Sequence, residues 1–94
     1  MTAAHTDITI WLGAQFDADD AEIINHRVHG TAPAELLDQM ARDIEAKRRI
    51  LDEAANYSPE LEHGDNGEWA LGMVLRLLAL PYAHRPGYRE EWRP

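Results

Sequence analysis

Cysteine is absent from these 94 residues, which removes disulfides, thiolate nucleophiles and thiolate metal sites together. Serine occurs once, as Ser58 beside Pro59, and reads as a turn residue. There is no glycine-rich phosphate loop and no serine in a strand-to-helix elbow. No apolar run approaches the ~20 residues that cross a bilayer. The opening MTAAHTDITI lacks a basic segment followed by a sustained apolar run, so no signal peptide is expected. These absences point to a cytoplasmic protein with no cofactor, no membrane association and no enzymatic activity.

Charge of one sign is also scarce where it would matter. The formal net charge is −8. Residues 1–68 hold 15 acids and five Lys/Arg, whereas residues 69–94 hold four Arg and two Glu, so the local balance changes from −10 to +2. Nucleic-acid binding normally needs a basic face, and this balance argues against it. An acidic half can be a solvated helical surface, or a surface that imitates nucleic acid or docks on a basic partner.

What is present is helical pattern. Trp69 to Leu80 (WALGMVLRLLAL) carries a single charge, Arg76, and its apolar side chains point in nearly every direction. A helix of that kind is expected to be buried on most sides and to organise the domain. Ahead of it, residues 7–29 form a first helix with Thr6 or Asp7 as its cap. Ile8, Trp11, Leu12, Phe16 and Ile23 supply its inner side. The acidic cluster from Asp17 to Glu22 interrupts that stripe but holds no Gly or Pro, so a continuous helix is expected. A second helix spans residues 33–56. Gly30 closes the first, Thr31 caps the second, and Pro33 sits in its first turn. Leu36, Leu37, Met40, Ile44, Leu51, Ala54 and Ala55 make its core stripe, with Lys47 snorkelling outward.

Residues 57–67 read as a connection with turn signals at Pro59, Gly64 and Asn66-Gly67, and Asp65 with Glu68 is suited to cap the third helix. Pro81 ends that helix. The tail from residue 81 to 94 holds three of the five prolines and the aromatics Tyr82, Tyr88 and Trp92. It is expected to pack across the helices. The fold class expected is therefore all-α: a three-helix, bundle-like single domain, helices about 7–29, 33–56 and 67–80, with the tail 81–94 laid over it.

Two places invite chemistry. Asp19, Glu22, His26 and His29 follow an i, i+3, i+7, i+10 pattern that puts two carboxylates and two imidazoles on one side of a helix, a candidate divalent-metal set. Helix-dipole complementarity explains the same residues with less, since it also places histidines at a C-terminus. His63 and His84 stand in connections where nothing in the pattern brings them to such a site. Arg76 on its apolar helix calls for a carboxylate partner, a structural ion pair.

Two stretches carry a resemblance. EAKRRILDE at Glu45–Glu53 and LRLLALPYAHRPGYREEWRP at Leu75–Pro94 resemble an uncharacterised family of small helical proteins of actinobacteria and their phages. The resemblance covers most of the chain outside residues 57–67. It implies a small helical architecture and brings no established activity and no catalytic residue. This chain departs from the family pattern at Thr31-Ala32-Pro33, where relatives often have His-Asp-Pro. It departs again at Arg85-Pro86, where a His usually precedes the proline.

The expected function is a non-enzymatic accessory factor that binds another protein. Alternatives are a metal-binding protein using the first-helix His/acid cluster, and an acidic, nucleic-acid-mimicking inhibitor of a DNA-binding enzyme. Two helices can cover only two flanks of a third, so leftover apolar surface on helices two and three suggests a homodimer. The expected interface residues are Trp69, Met73, Leu77, Leu80, Tyr82, Tyr88 and Trp92.

Overall fold

The computed structural model describes residues 3–56 and 66–94. Among them there are three α-helices and no strand: α1 (Ala3–His29), α2 (Ala34–Ala55) and α3 (Asn66–Ala79). Two short 3-10 turns, Leu80–Tyr82 and Glu90–Trp92, punctuate the tail. The all-α architecture is as expected.

α1 is continuous through the acidic cluster, because no residue there breaks the backbone pattern. It begins at Ala3, earlier than the expected start near residue 7. Asp7 is therefore an interior residue of the helix, and its carboxylate accepts a hydrogen bond from Arg89 at 2.9 Å instead of capping the N-terminus. Gly30 ends α1 in the left-handed region, φ 61°, where a side chain would be strained.

α2 begins at Ala34, with Pro33 extended in the cap position and no side-chain cap bond. The Pro33 carbonyl accepts the first helical hydrogen bond, from the Leu37 N–H at 3.1 Å. Thr31 does not cap α2. Its hydroxyl lies 2.7 Å from His26 Nδ1, and its N–H donates to the His26 carbonyl. It thus closes the end of α1.

α1 and α2 run antiparallel across this short link. Arg27 pairs with Asp38 close to the turn, while Arg48 reaches back to Asp17 and Asp20 further along. The core forms between them and beneath α3. Leu12, Phe16 and Leu75 are the largest fully buried side chains, joined by Ile8, Ile23, Leu37, Ile44, Leu51, Ala54 and Ala79. Leu36 and Ala55, expected in the same stripe, face solvent: Leu36 sits on its flank, and Ala55, in line with Leu37, is the last residue of α2, at the end of the helix.

The organising helix is α1 and not α3. Among the α3 residues whose side chains are described, only Leu75 and Ala79 are buried, while Trp69, Val74 and Leu77 are exposed. Shape explains this. The Cα trace spans 50 × 26 × 17 Å, and its thinnest dimension is that of two packed helix layers, with axes about 8–10 Å apart. A layer that thin cannot surround any helix, so α3 keeps one face outside. Of the expected connection at 57–67, residues 57–65, with Ser58, His63 and Asp65, lie outside the described residues, whereas Asn66 and Gly67, expected in a turn, already belong to the first turn of α3.

Candidate functional site

Pro81 cannot continue α3, and the chain tightens into the turn Leu80–Tyr82. That turn drops Tyr82 into the core, edge-on to Phe16 with ring centroids 6.0 Å apart. Its hydroxyl does not reach solvent freely. It donates to Asp19 Oδ2 at 2.8 Å and accepts from Lys47 Nζ at 3.1 Å. Arg85 then donates to the other oxygen of Asp19 at 2.6 Å, and its guanidinium lies 4.7 Å from the Tyr82 ring centroid. Lys47 Nζ lies 5.1 Å from the same ring centroid. So Lys47 does not snorkel to solvent as expected. Its ammonium is held by a phenol that a helix-only pattern cannot foresee.

These groups border a small open cavity of about 290 Å³ with Met40, Asp43, Ile44 and Pro81. Its chemistry is self-satisfied. Each cation meets an oxygen of the cluster, and burial pushes the Tyr82 phenol above its ordinary value, with the Lys47 hydrogen bond opposing and the Asp19 one assisting. A phenol so held is a poor general base at neutral pH. One turn away, Arg48 donates to both Asp17 at 2.7 Å and Asp20 at 2.6 Å, and those carboxylates raise its own pKa. The acidic cluster of α1 is thereby clamped by α2 and the tail.

The tail continues over α1. Trp11 Nε1 donates to the Pro86 carbonyl at 3.0 Å. Tyr88 and Trp92 pack around the Trp11 indole, at centroid distances of 5.7 and 5.4 Å. Trp92 is buried and Tyr88 half-buried. Of the expected interface residues, Tyr82, Tyr88 and Trp92 are therefore spent inside the chain, since their faces already meet Phe16, Trp11 and each other. The residues that stay outside are Trp69, Leu77 and Leu80, with Met73 half-buried beside them. Trp69, Met73 and Leu77 follow one side of α3, and Leu80 continues it in the turn that follows. Around its edge lies a groove of about 460 Å³ between α2 and α3, lined by Arg49, Ile50, Glu53, Ala54, Leu71 and Val74.

Arg76 is exposed on that side, and no described carboxylate pairs with it. The expected structural ion pair is not formed among the described residues, because the helix turns Arg76 to solvent instead of toward α1 or α2.

The candidate metal set does not converge either. Asp19 and His29 are ten residues apart, about 15 Å along the helix axis, whereas ligands must lie about 2 Å from one ion. Asp19 is turned to Arg85 and Tyr82. His26 uses Nε2 toward Glu22 at 3.1 Å and Nδ1 toward Thr31. Among the described residues no group of three His, Asp or Glu side chains is placed to hold a metal ion.

Sequence pattern marked the tail aromatics and the acidic cluster but missed Lys47, Arg48 and Arg85 as their partners. The charge of the second helix and of the tail was the available signal: its arginines face the acids of the first. No helix among the described residues is long and apolar enough to cross a membrane. No curated protein and no solved structure matches the chain. A family match covers residues 21–94, which includes α2, α3, the whole tail and the last third of α1. On that match the chain belongs to DUF6221, a family of unknown function.

Proposed function

We propose that this is a non-enzymatic accessory protein, of actinobacterial or phage origin, that binds another protein through the outer face of α3. One observation carries the proposal. Trp69, Val74 and Leu77 of α3 are 70%, 40% and 52% exposed, and Leu80 in the turn that follows is 38% exposed, beside an apolar groove. An apolar surface on this scale, in a chain whose tail already covers what it can reach, is the usual mark of a binding face. The occupant that fits is an amphipathic helix with a carboxylate set to meet Arg76. Its apolar side chains would enter the groove between α2 and α3 and lie along Trp69, Met73 and Leu77.

The ion pairs favour this reading over the alternatives. Asp17 and Asp20 share Arg48, Asp19 holds Arg85, Asp7 holds Arg89, and Asp38 holds Arg27. Acids neutralised within the chain make a poor imitation of a phosphate backbone. The metal reading lacks a converging ligand set among the described residues.

Photo-crosslinking tests it directly. A benzophenone side chain at Leu77 in the native host should give one discrete heavier adduct. The same group at Glu35, exposed on α2, should not. The adduct should disappear from a Trp69-crosslinker chain that also carries Leu77→Glu. Equal adducts from the two sites, or an adduct indifferent to Leu77→Glu, would reject α3 as the binding face.

A further inference from the structure

α1 has a second apolar stripe that the core does not use. Ile10, Ala14, Asp17, Ala21, Ile24 and Val28 follow one another at spacings of four, three, four, three and four residues, and all six are exposed. The large members are well out in solvent: Ile10 is 67%, Ile24 61% and Val28 72% exposed. The stripe lies on the opposite side of the helix from Leu12, Phe16 and Ile23, which are buried. A 4-3 alternation sustained along a helix is the seam of a coiled coil.

We propose that this seam is a self-association surface, on which a second copy of the chain lies antiparallel. The stripe is complementary to itself in that orientation only. Turning one helix end for end about its midpoint near Asp19 sets Ile10 opposite Val28 of the second copy, Ala14 opposite Ile24, and Asp17 opposite Ala21. Two of these layers then match a small or polar residue with a neighbour that leaves it room. A parallel pair in register would stack Asp17 on Asp17 and Ala on Ala, giving like-charge repulsion and voids.

Charge agrees with the antiparallel choice. Asp17 is already paired with Arg48 at 2.7 Å, so it meets Ala21 of the second copy as half of an ion pair and not as a bare charge. Antiparallel helix dipoles attract. They also bring the His26, Arg27 and His29 end of one α1 near the Asp7 end of the other. From Ile10 to Val28 the seam runs about 27 Å, and such a contact buries on the order of 1,000 Å² in all, the lower margin for a specific interface. A contact at this lower margin is of the reversible kind, expected to form at roughly tens of micromolar. The α3 strip is a weaker candidate for the same role. Antiparallel pairing about Met73 would press Trp69 on Leu77, large against large, at both ends.

Sedimentation equilibrium on the full chain, with two α-helical variants and two cysteine variants, tests the seam. The wild type should reach twice the 10.7 kDa chain mass at tens of micromolar. Ala21→Glu should return it to the chain mass with unchanged far-UV helicity, and Leu77→Glu should leave the dimer intact. Because the chain has no cysteine, single Ala14→Cys and Ile24→Cys chains give an unambiguous orientation. Under oxidation, a mixture should crosslink one variant to the other, and neither should crosslink to itself. A chain-mass species up to hundreds of micromolar would overturn the proposal. So would a dimer lost with Leu77→Glu but kept with Ala21→Glu, and so would self-crosslinking of either cysteine variant.

Discussion

Gly87 and Trp11 touch where no side chain would fit: a Cβ on Gly87 would stand 2.6 Å from Trp11 Nε1. Gly87 also holds φ 90°, which L side chains rarely adopt. The tail crosses α1 at this glycine, one residue after the Pro86 carbonyl accepts the indole N–H. Gly87→Ala should therefore lower stability by about 2 kcal/mol or more, from backbone strain and a displaced indole. Gly13 is the contrast. It sits inside α1 with nothing within 4 Å of its added Cβ, so Gly13→Ala should raise stability by about 0.5–1 kcal/mol. Urea unfolding of both variants checks the opposite signs.

How much of this was legible in the sequence depends on the range of the interaction. The continuity of α1 follows from local chemistry, an absence of Gly and Pro through its acidic cluster, and so it could be read directly. The packing of Tyr82 and Trp92 followed from their type, since large aromatics in a proline-punctuated tail need cover. Which helix sits at the centre could not be read. α3 is apolar on all sides and looked like the core. α1 carries an inner stripe at Leu12 and Phe16 and an outer one at Ile24 and Val28, and these blur one another in a periodicity count. The clasp of Arg85 on Asp19 joins positions 66 apart, and no helical spacing encodes such a pair. The metal pattern failed for an axial reason. Residues can share one side of a helix and still be too far apart along it.

Tyr82 makes the fold sensitive to alkali. Burial raises its pKa above the ordinary value near 10. A raised folded-state value means the folded chain holds the proton more tightly than the unfolded one. The contribution is therefore fully present below about pH 10, and it is lost as pH rises from there through the folded-state value. The thermal midpoint should fall above about pH 10 in the wild type. Tyr82→Phe should be less stable at pH 7, having lost the hydrogen bond to Asp19, but its further fall above pH 10 should be shallower. Parallel slopes for the two proteins from pH 8 to 11 would place the alkaline sensitivity elsewhere.

Asp19 is the hub of the clasp, accepting from Tyr82 and Arg85 on its two oxygens while only 19% exposed at the side chain. Asp19→Asn keeps the shape but removes the charge and one acceptor, and should cost about 1–3 kcal/mol. Truncation after Pro81 removes the clasp together with Tyr82, Tyr88 and Trp92, and should cost several kcal/mol, since each fully buried large side chain contributes about 1.5–3. Asp19→Asn on the truncated chain should then have almost no further effect. Its partners would be gone already, and a cycle of the four proteins by chemical denaturation reads that coupling.

The last prediction separates the central helix from the apolar one. Leu12 on α1 is 0% exposed and Leu77 on α3 is 52% exposed, although both sit in leucine-bearing helices. Leu12→Ala removes methylenes from a fully buried place in the core cluster, whose neighbours can only partly collapse into the void, so a loss of about 2–5 kcal/mol is expected. Leu77→Ala removes contacts made mostly with water and should stay within about 0.5 kcal/mol of the wild type. Alanine is a better helix former than leucine, which offsets part of even that small loss. Thermal unfolding of the two variants at one concentration, below the range of self-association, measures the difference. Equal losses would mean that α3 is buried in solution on the face that carries Leu77. The outer face of α3 would then be core, and its assignment as a surface for another protein would fall with it.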